Sequence, residues 1–270
     1  MRVGVKPGQY GWGYQELQDS WVAAEQAGFD LVACFDHVSA APRGMVAWDA
    51  PSLLTAMAAK TERVIISVEV INASLRNPFL LAGQLAVAQA VSGGRLRAGL
   101  GAGSVYLARF DHQALGLPFP PHDQRVRHLE ACCRALPALW RGAAVDDPVL
   151  GLRQASLGPI GISPPELFVG GSSDAVLTIA ARYADGWHTP AEPGRFASLA
   201  RRLDEICDAV GRGRPLEKAA QVFIQETGLA GARDTLRRLD DAGASTVTFI
   251  LYAEHGPQWV RRLADALQLG

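Results

Sequence analysis

Asp36 and His37 close the unbroken apolar run Leu31 to Phe35 in the stretch LVACFDH. A carboxylate followed by an imidazole can hold and exchange protons near neutral pH, since the ordinary imidazole pKa is about 6.5. The plainer reading of the same pair is an aspartate that caps a turn and a histidine that packs. A second candidate is FVGGSSDAV, where a strand-like run meets Gly170, Gly171, Ser172 and Ser173 ahead of a helical pattern. Glycine lets main-chain amides approach an anion, serine hydroxyls donate, and a helix N-terminus adds partial positive charge. Those are the parts of a phosphate site, and also of a tight turn with a serine cap. GLGAGS, Gly99 to Ser104, is a third candidate and the least specific by itself.

These residues need elements to position them, and the chain alternates strand-like and helical patterns from end to end. Strands are predicted at 2–6, 30–35, 64–70, 95–100, 166–170, 185–189, 219–225 and 245–251. Helices are predicted at 14–27, 51–61, 78–91, 122–141, 173–184, 194–210, 231–242 and 256–268. Asn77-Pro78 reads as a cap followed by proline at the first helical position. EQAGFDLVACF and DDAGASTVTFI repeat one phrase: helix end, glycine turn, buried strand. Pro137 is expected to kink the 122–141 helix near its end. Eight such units of about thirty residues predict a (β/α)8 TIM barrel, with an open doubly wound sheet as the structural alternative. The chain reads as one domain over 1–270, with an irregular insertion at about 142–165, where a short strand at 149–153 is an option.

Barrel active sites are built just past the C-terminal ends of the strands. That rule brings separate stretches to one rim. They are Pro7, Gly8 and Gln9; Asp36 and His37; Ile71, Asn72, Ala73 and Ser74; and residues 99–104 and 170–174. His188 with Thr189, and Tyr252 with Glu254 and His255, complete the set.

The totals exclude several classes. A net charge of −1 gives no global field for nucleic acid or an anionic membrane. The most apolar helix, 79–91, is interrupted by Gln84 and Gln89 and is too short for a bilayer. Cys34, Cys132, Cys133 and Cys207 form no C-x-x-C pair, and RVGV at the N-terminus is no signal peptide, so a cytoplasmic protein is expected. Barrel metallohydrolases open with His-x-His on their first strand, which RVGVKPG lacks, so no metal is expected.

With these residues on the page, the chain resembles the bacterial-luciferase-like flavin/deazaflavin oxidoreductases. FDH after strand 2, NASLRNPFLLAGQLAVAQAVSGGRLRAGLGAGS, ALGLPFPPHDQRVRHLEACCRALPALWRG and LFVGGSSDAVLTIAARYADGWHT carry the resemblance, over about residues 2 to 190. It implies a barrel that binds coenzyme F420, or alternatively FMN, at its mouth. The phosphate end would rest on Val169, Gly170, Gly171, Ser172 and Ser173. The ring would lie across the ends of strands 2, 3 and 4, with Gly101, Gly103 and Ser104 beside it. A bulge around Ile71, Asn72 and Ala73, often with a non-proline cis peptide in this family, would support the ring. The resemblance places Asp36 at the ring edge and His37 beside the position of hydride transfer, both as catalytic residues. It implies a small-molecule substrate and a homodimer. Val105 stands where the family's sugar-phosphate dehydrogenases carry an acid, and SAAP stands where they carry a tryptophan. An FMN-dependent monooxygenase and a cofactor-binding paralogue without turnover are the alternative functions.

Overall fold

The computed structural model describes residues 1–8, 10–41 and 44–269, so Gln9 lies outside the described residues. β1 (Arg2–Pro7) and α1 (Tyr14–Gln26) form the first unit, and β2 (Leu31–Cys34) and α2 (Ala50–Lys60) the second. β3 (Ile65–Asn72), α3 (Pro78–Val91) and β4 (Leu96–Gly101) follow. Two helices then leave β4, α4 (Val105–Ala114) and α5 (His122–Trp140), ahead of the strands β5 (Val145–Asp147) and β6 (Leu152–Ala155). β7 (Glu166–Gly170), α6 (Asp174–Tyr183), β8 (Gly186–Pro190) and α7 (Pro193–Ala209) resume the alternation. β9 (Glu217–Phe223), α8 (Ile224–Asp241), β10 (Thr246–Leu251) and α9 (Gln258–Leu267) complete it.

Eight parallel strands close in the order β1-β2-β3-β4-β7-β8-β9-β10, and β10 pairs back onto β1 with Val3 opposite Val247. Closure excludes the open sheet. The reason is legible in the strands: Val32, Val68, Leu100, Val169, Val247 and Phe249 are buried, as parallel strands covered by helices require. The caps work as their residue types predict. The Asn77 side chain accepts from the amides of Phe79 (3.0 Å) and Leu80 (3.1 Å). Asp49 accepts from Ser52 N (3.1 Å), and Ser173 from Val176 N (3.4 Å).

Three places depart from the sequence reading. Helix α4 was absent from it because the buried side of that helix is Ala108, Asp111 and His112. A helix whose inner face is polar shows no apolar period. The 142–165 stretch is only partly irregular: β5 and β6 pair antiparallel, and 148–151 is their turn, so the strand starts at Leu152 rather than 149. Asp147 holds that turn by accepting from Val149 N (2.9 Å) and Leu150 N (3.1 Å). Helix α8 begins at Ile224, and Gly228 (φ 61°) breaks its path before the predicted start at 231.

The bulge expected at residues 71–73 lies earlier, inside β3. Pairing with β4 shifts between Val68 and Ile71, and the Glu69-Val70 peptide is cis. An extra residue in one strand turns neighbouring side chains to the same side, and Glu69 and Val70 both face the barrel mouth. Val70 explains glycines on the next two strands of the barrel, β4 and β7. A Cβ on Gly101 would meet Val70 Cγ2 at 2.5 Å, and one on Gly170 would meet Val70 Cγ1 at 2.7 Å.

Candidate active site at the barrel mouth

The C-terminal ends of the strands surround a cavity of about 690 Å³, within the range of small-molecule and cofactor sites. Of the predicted residues, Asp36, His37, Asn72, Gly101, Gly103, Ser104, Gly170, Gly171, Ser172 and Ser173 all line it. Ile71, Ala73 and Val169 are buried and absent from the lining. The strand register decides this: Ile71 is back in step with β4 after the bulge, and Val169 alternates away between Phe168 and Gly170.

His37 sits on the cavity wall between aromatic rings. Tyr10 stacks on it with ring centroids 5.9 Å apart and an interplanar angle of 16°, and Phe35 lies 5.4 Å away. Its Nδ1 is 2.7 Å from Oδ2 of Asp111, which is 1 % exposed. The other oxygen of Asp111 accepts from Val38 N and Ser39 N, both at 2.9 Å. With Oδ1 occupied by two amides, Oδ2 is left for the imidazole. A carboxylate accepts and does not donate, so Nδ1 carries the hydrogen and Nε2 is free to take a proton. The plain packing of a lone histidine does not supply this carboxylate partner.

Asp36 is 2 % exposed. The Arg76 guanidinium binds both of its oxygens, with Nε at 3.2 Å from Oδ2, and Asn72 N donates to Oδ2 at 3.3 Å. Burial pushes the Asp36 carboxyl up from the usual carboxylate range, and Arg76 works in the opposite direction. Arg76 also holds Asp49, the cap of α2, at 2.8 Å. Thus β2, the loop after β3 and α2 are tied together through one guanidinium.

The strand-4 turn is secured in a similar way. Arg125 on α5 donates to the carbonyls of Ala102 (2.8 Å) and Gly103 (2.6 Å) and packs over Phe119. Gly103 has φ +78°, and a Cβ there would meet the Asn72 side-chain amide at 2.7 Å. Asn72 Oδ1 accepts from Ser74 N and Oγ, while its Nδ2 is buried without a hydrogen-bond partner among the described residues. On β8, His188 Nε2 is in the same condition. Two buried donors of one cavity therefore lack acceptors among the described residues. This fits a bound ring bearing carbonyl groups.

The Gly170 to Ser173 turn opens onto the N-terminus of α6, with Gly171 at φ 147°. Arg195, at the start of α7, is exposed on the lining and has no ion pair among the described residues. A glycine-serine turn, a helix start and a free guanidinium together suit an anionic phosphate.

The family model of the luciferase-like monooxygenases matches residues 1–256. The chain belongs to the luciferase-like monooxygenase family. Family members similar to it include an F420-dependent glucose-6-phosphate dehydrogenase of Beutenbergia cavernae, 30% identical over 201 residues, covering 72% of this chain and 58% of that protein. Another of the same name, from Nakamurella multipartita, is 29% identical over 76% of this chain and 65% of its own length. The chain thus spans less than two thirds of these relatives. The F420-dependent tetrahydromethanopterin reductase of Methanopyrus kandleri shares the fold, with TM-score 0.79 and 15% identity over 99% of this chain and 98% of that one. An F420-dependent secondary alcohol dehydrogenase solved with an F420-acetone adduct gives 0.80 and 16%, covering 98% of each.

Several site residues of this family member escaped the sequence reading. No motif in the sequence marks Asp111, Arg76, Arg125, Lys6, Gln221 or Arg195 as a site residue. His188 was noted only as following its strand. Lys6, a charge near the end of the apolar strand RVGVKP, is the local signal that marks one of them.

Proposed function

We propose that the chain is an oxidoreductase that uses coenzyme F420 to transfer a hydride to or from a small organic molecule. The observation that carries this reading is the Asp111–His37 pair on the wall of a cavity that also holds two unpartnered buried donors. The F420-dependent names of its relatives support the choice of cofactor over FMN. Asn72 and the 101–104 turn would hold the ring, and Gly170 to Ser173 with Val169 beneath them and Arg195 nearby would hold the phosphate. Asp36 would face the ring edge, in an orientation fixed by Arg76. When bound, the deazaflavin supplies two-electron hydride chemistry. His37, with Nε2 toward the cavity and Nδ1 on Asp111, takes or returns the proton that accompanies it.

Titration of the purified protein with F420 and with FMN, followed by cofactor fluorescence, tests the assignment. Quenching by F420 at micromolar concentration is expected. Quenching by FMN alone would move the reading to flavin chemistry, and quenching by neither would remove the cofactor.

We also infer a homodimer. Leu80, Val87 and Val91 of α3 expose 66%, 53% and 46% of their surface along one helix, an arrangement that marks contact surfaces. Light scattering is expected to give twice the monomer mass for the wild type and the monomer mass for Leu80→Lys with Val87→Lys. A wild-type monomer at tens of micromolar would refute it. Among the described residues no helix is long and apolar enough to cross a membrane. With four free cysteines, a cytoplasmic setting is our reading.

A further inference from the structure

Under the mouth lies a buried polar chain that the hydride chemistry above does not use. Lys6 on β1 donates to the main-chain carbonyl of Glu69 (3.3 Å) and to Gln221 Oε1, and its Nζ lies 4.0 Å from the Glu69 carboxylate. Gln221 Nε2 is 2.8 Å from His188 Nδ1. Glu69 in turn accepts from Thr248 at 3.1 Å. Lys6, Glu69, Gln221 and His188 all line the cavity, and none is more than 7 % exposed.

Each link constrains the next. The Gln221 amide turns its oxygen to Lys6 and its NH2 to His188. Nδ1 of His188 is therefore the acceptor, and the hydrogen of the ring resides on Nε2. Nε2 lies against Gly170, where a Cβ would come within 2.7 Å of it, and it has no partner among the described residues. Gly170 and His188 line the cavity together.

We propose that His188 is a fixed-tautomer hydrogen-bond donor of the cavity, which binds a carbonyl oxygen of the bound molecule through Nε2–H, with Gln221 and Lys6 as its positioning residues. Burial beside Lys6 and Arg97 pushes the imidazole pKa down to about 3, so the donor is uncharged throughout the neutral range. An uncharged donor suits a neutral carbonyl, and a carbonyl can come from the cofactor ring or from a ketone substrate. The first source rests on the F420 reading; the second does not.

The test uses ¹⁵N-labelled protein and NMR of the histidine side chains. In the wild type without ligand, His188 is expected to carry its proton on Nε2, unchanged from pH 8 to pH 5. If the ring carbonyl is the acceptor, F420 shifts this signal; if a substrate carbonyl is, F420 leaves it and cyclohexanone then shifts it. Gln221→Glu is nearly isosteric and replaces the donor toward Nδ1 with an acceptor. It is expected to move the proton to Nδ1 and to weaken the responding probe at least tenfold, while His188→Gln, which keeps a donor, retains part of the affinity. A wild-type Nδ1–H tautomer, or an Nε2–H signal that neither probe moves, would overturn the proposal. If F420 fails to bind the wild type, the cofactor reading falls separately, and cyclohexanone on the unloaded protein decides this one.

Discussion

Replacing His37 with alanine is expected to lower kcat by about 10²–10⁴-fold, the usual contribution of a positioned acid or base, with F420 affinity changed no more than about twofold. The split follows from the contacts proposed for the ring. His37 belongs to the aromatic wall of the cavity, whereas the proposed cofactor contacts are Asp36, Asn72 and the 101–104 and 169–173 turns. Asp111→Asn is the sharper experiment because it leaves the imidazole in place. An asparagine can still accept from Val38 N and Ser39 N through its oxygen, and it then turns an NH2 toward Nδ1. Nδ1 becomes the acceptor, Nε2 gains the hydrogen, and His37 can no longer take a proton on the cavity side. A fall in kcat of about 10²-fold or more is expected, with KM nearly unchanged and the pH profile altered. Unchanged turnover in both variants would remove His37 from the chemistry, and loss only in His37→Ala would leave Asp111 a structural cap.

Arg76→Leu is expected to destabilise the protein by about 3–5 kcal/mol, the cost of leaving one member of a buried pair uncompensated. The Asp36 side chain loses its guanidinium, and α2 loses the tie to Asp49. The pH dependence distinguishes the two contributions. Burial already holds the Asp36 pKa above its ordinary value, with Arg76 the main opposing influence. Without Arg76 the folded-state pKa rises further. A carboxyl whose folded pKa lies above its unfolded value contributes stability that is intact below the unfolded pKa and lost as pH rises through the folded one. The deficit of Arg76→Leu should therefore be larger at pH 7.5 than at pH 4.5, and Asp36→Asn in the same chain should recover most of it at pH 7.5. Urea unfolding at the two pH values measures this. An equal deficit at both would assign the effect to the loss of Asp49 and of packing.

The barrel itself was legible in the sequence, because each of its signals is local. Buried strands such as LVACF are continuous apolar runs, glycine ends the helix before them, and caps such as Asn77 sit one residue ahead of their helices. The rule that sites gather at strand ends then placed Asp36, His37 and the two glycine-rich turns at one mouth, where the structure has them. The same local logic overlooked α4, whose inward face is Ala108, Asp111 and His112. Gly170 reads locally as room for an anion, although it and Gly101 also make room for Val70 at a bulge on β3. What each polar side chain faces was settled only by the closed barrel. His37 and Asp111 are 74 residues apart, Asp36 and Arg76 40, His188 and Gln221 33, and Lys6 and Gln221 215. Hydrophobic burial leaves a period that a short window can read. A hydrogen bond between distant residues leaves none, so the sequence by itself determined which residues gather at the barrel mouth, and the tertiary structure decided which partner each of them meets.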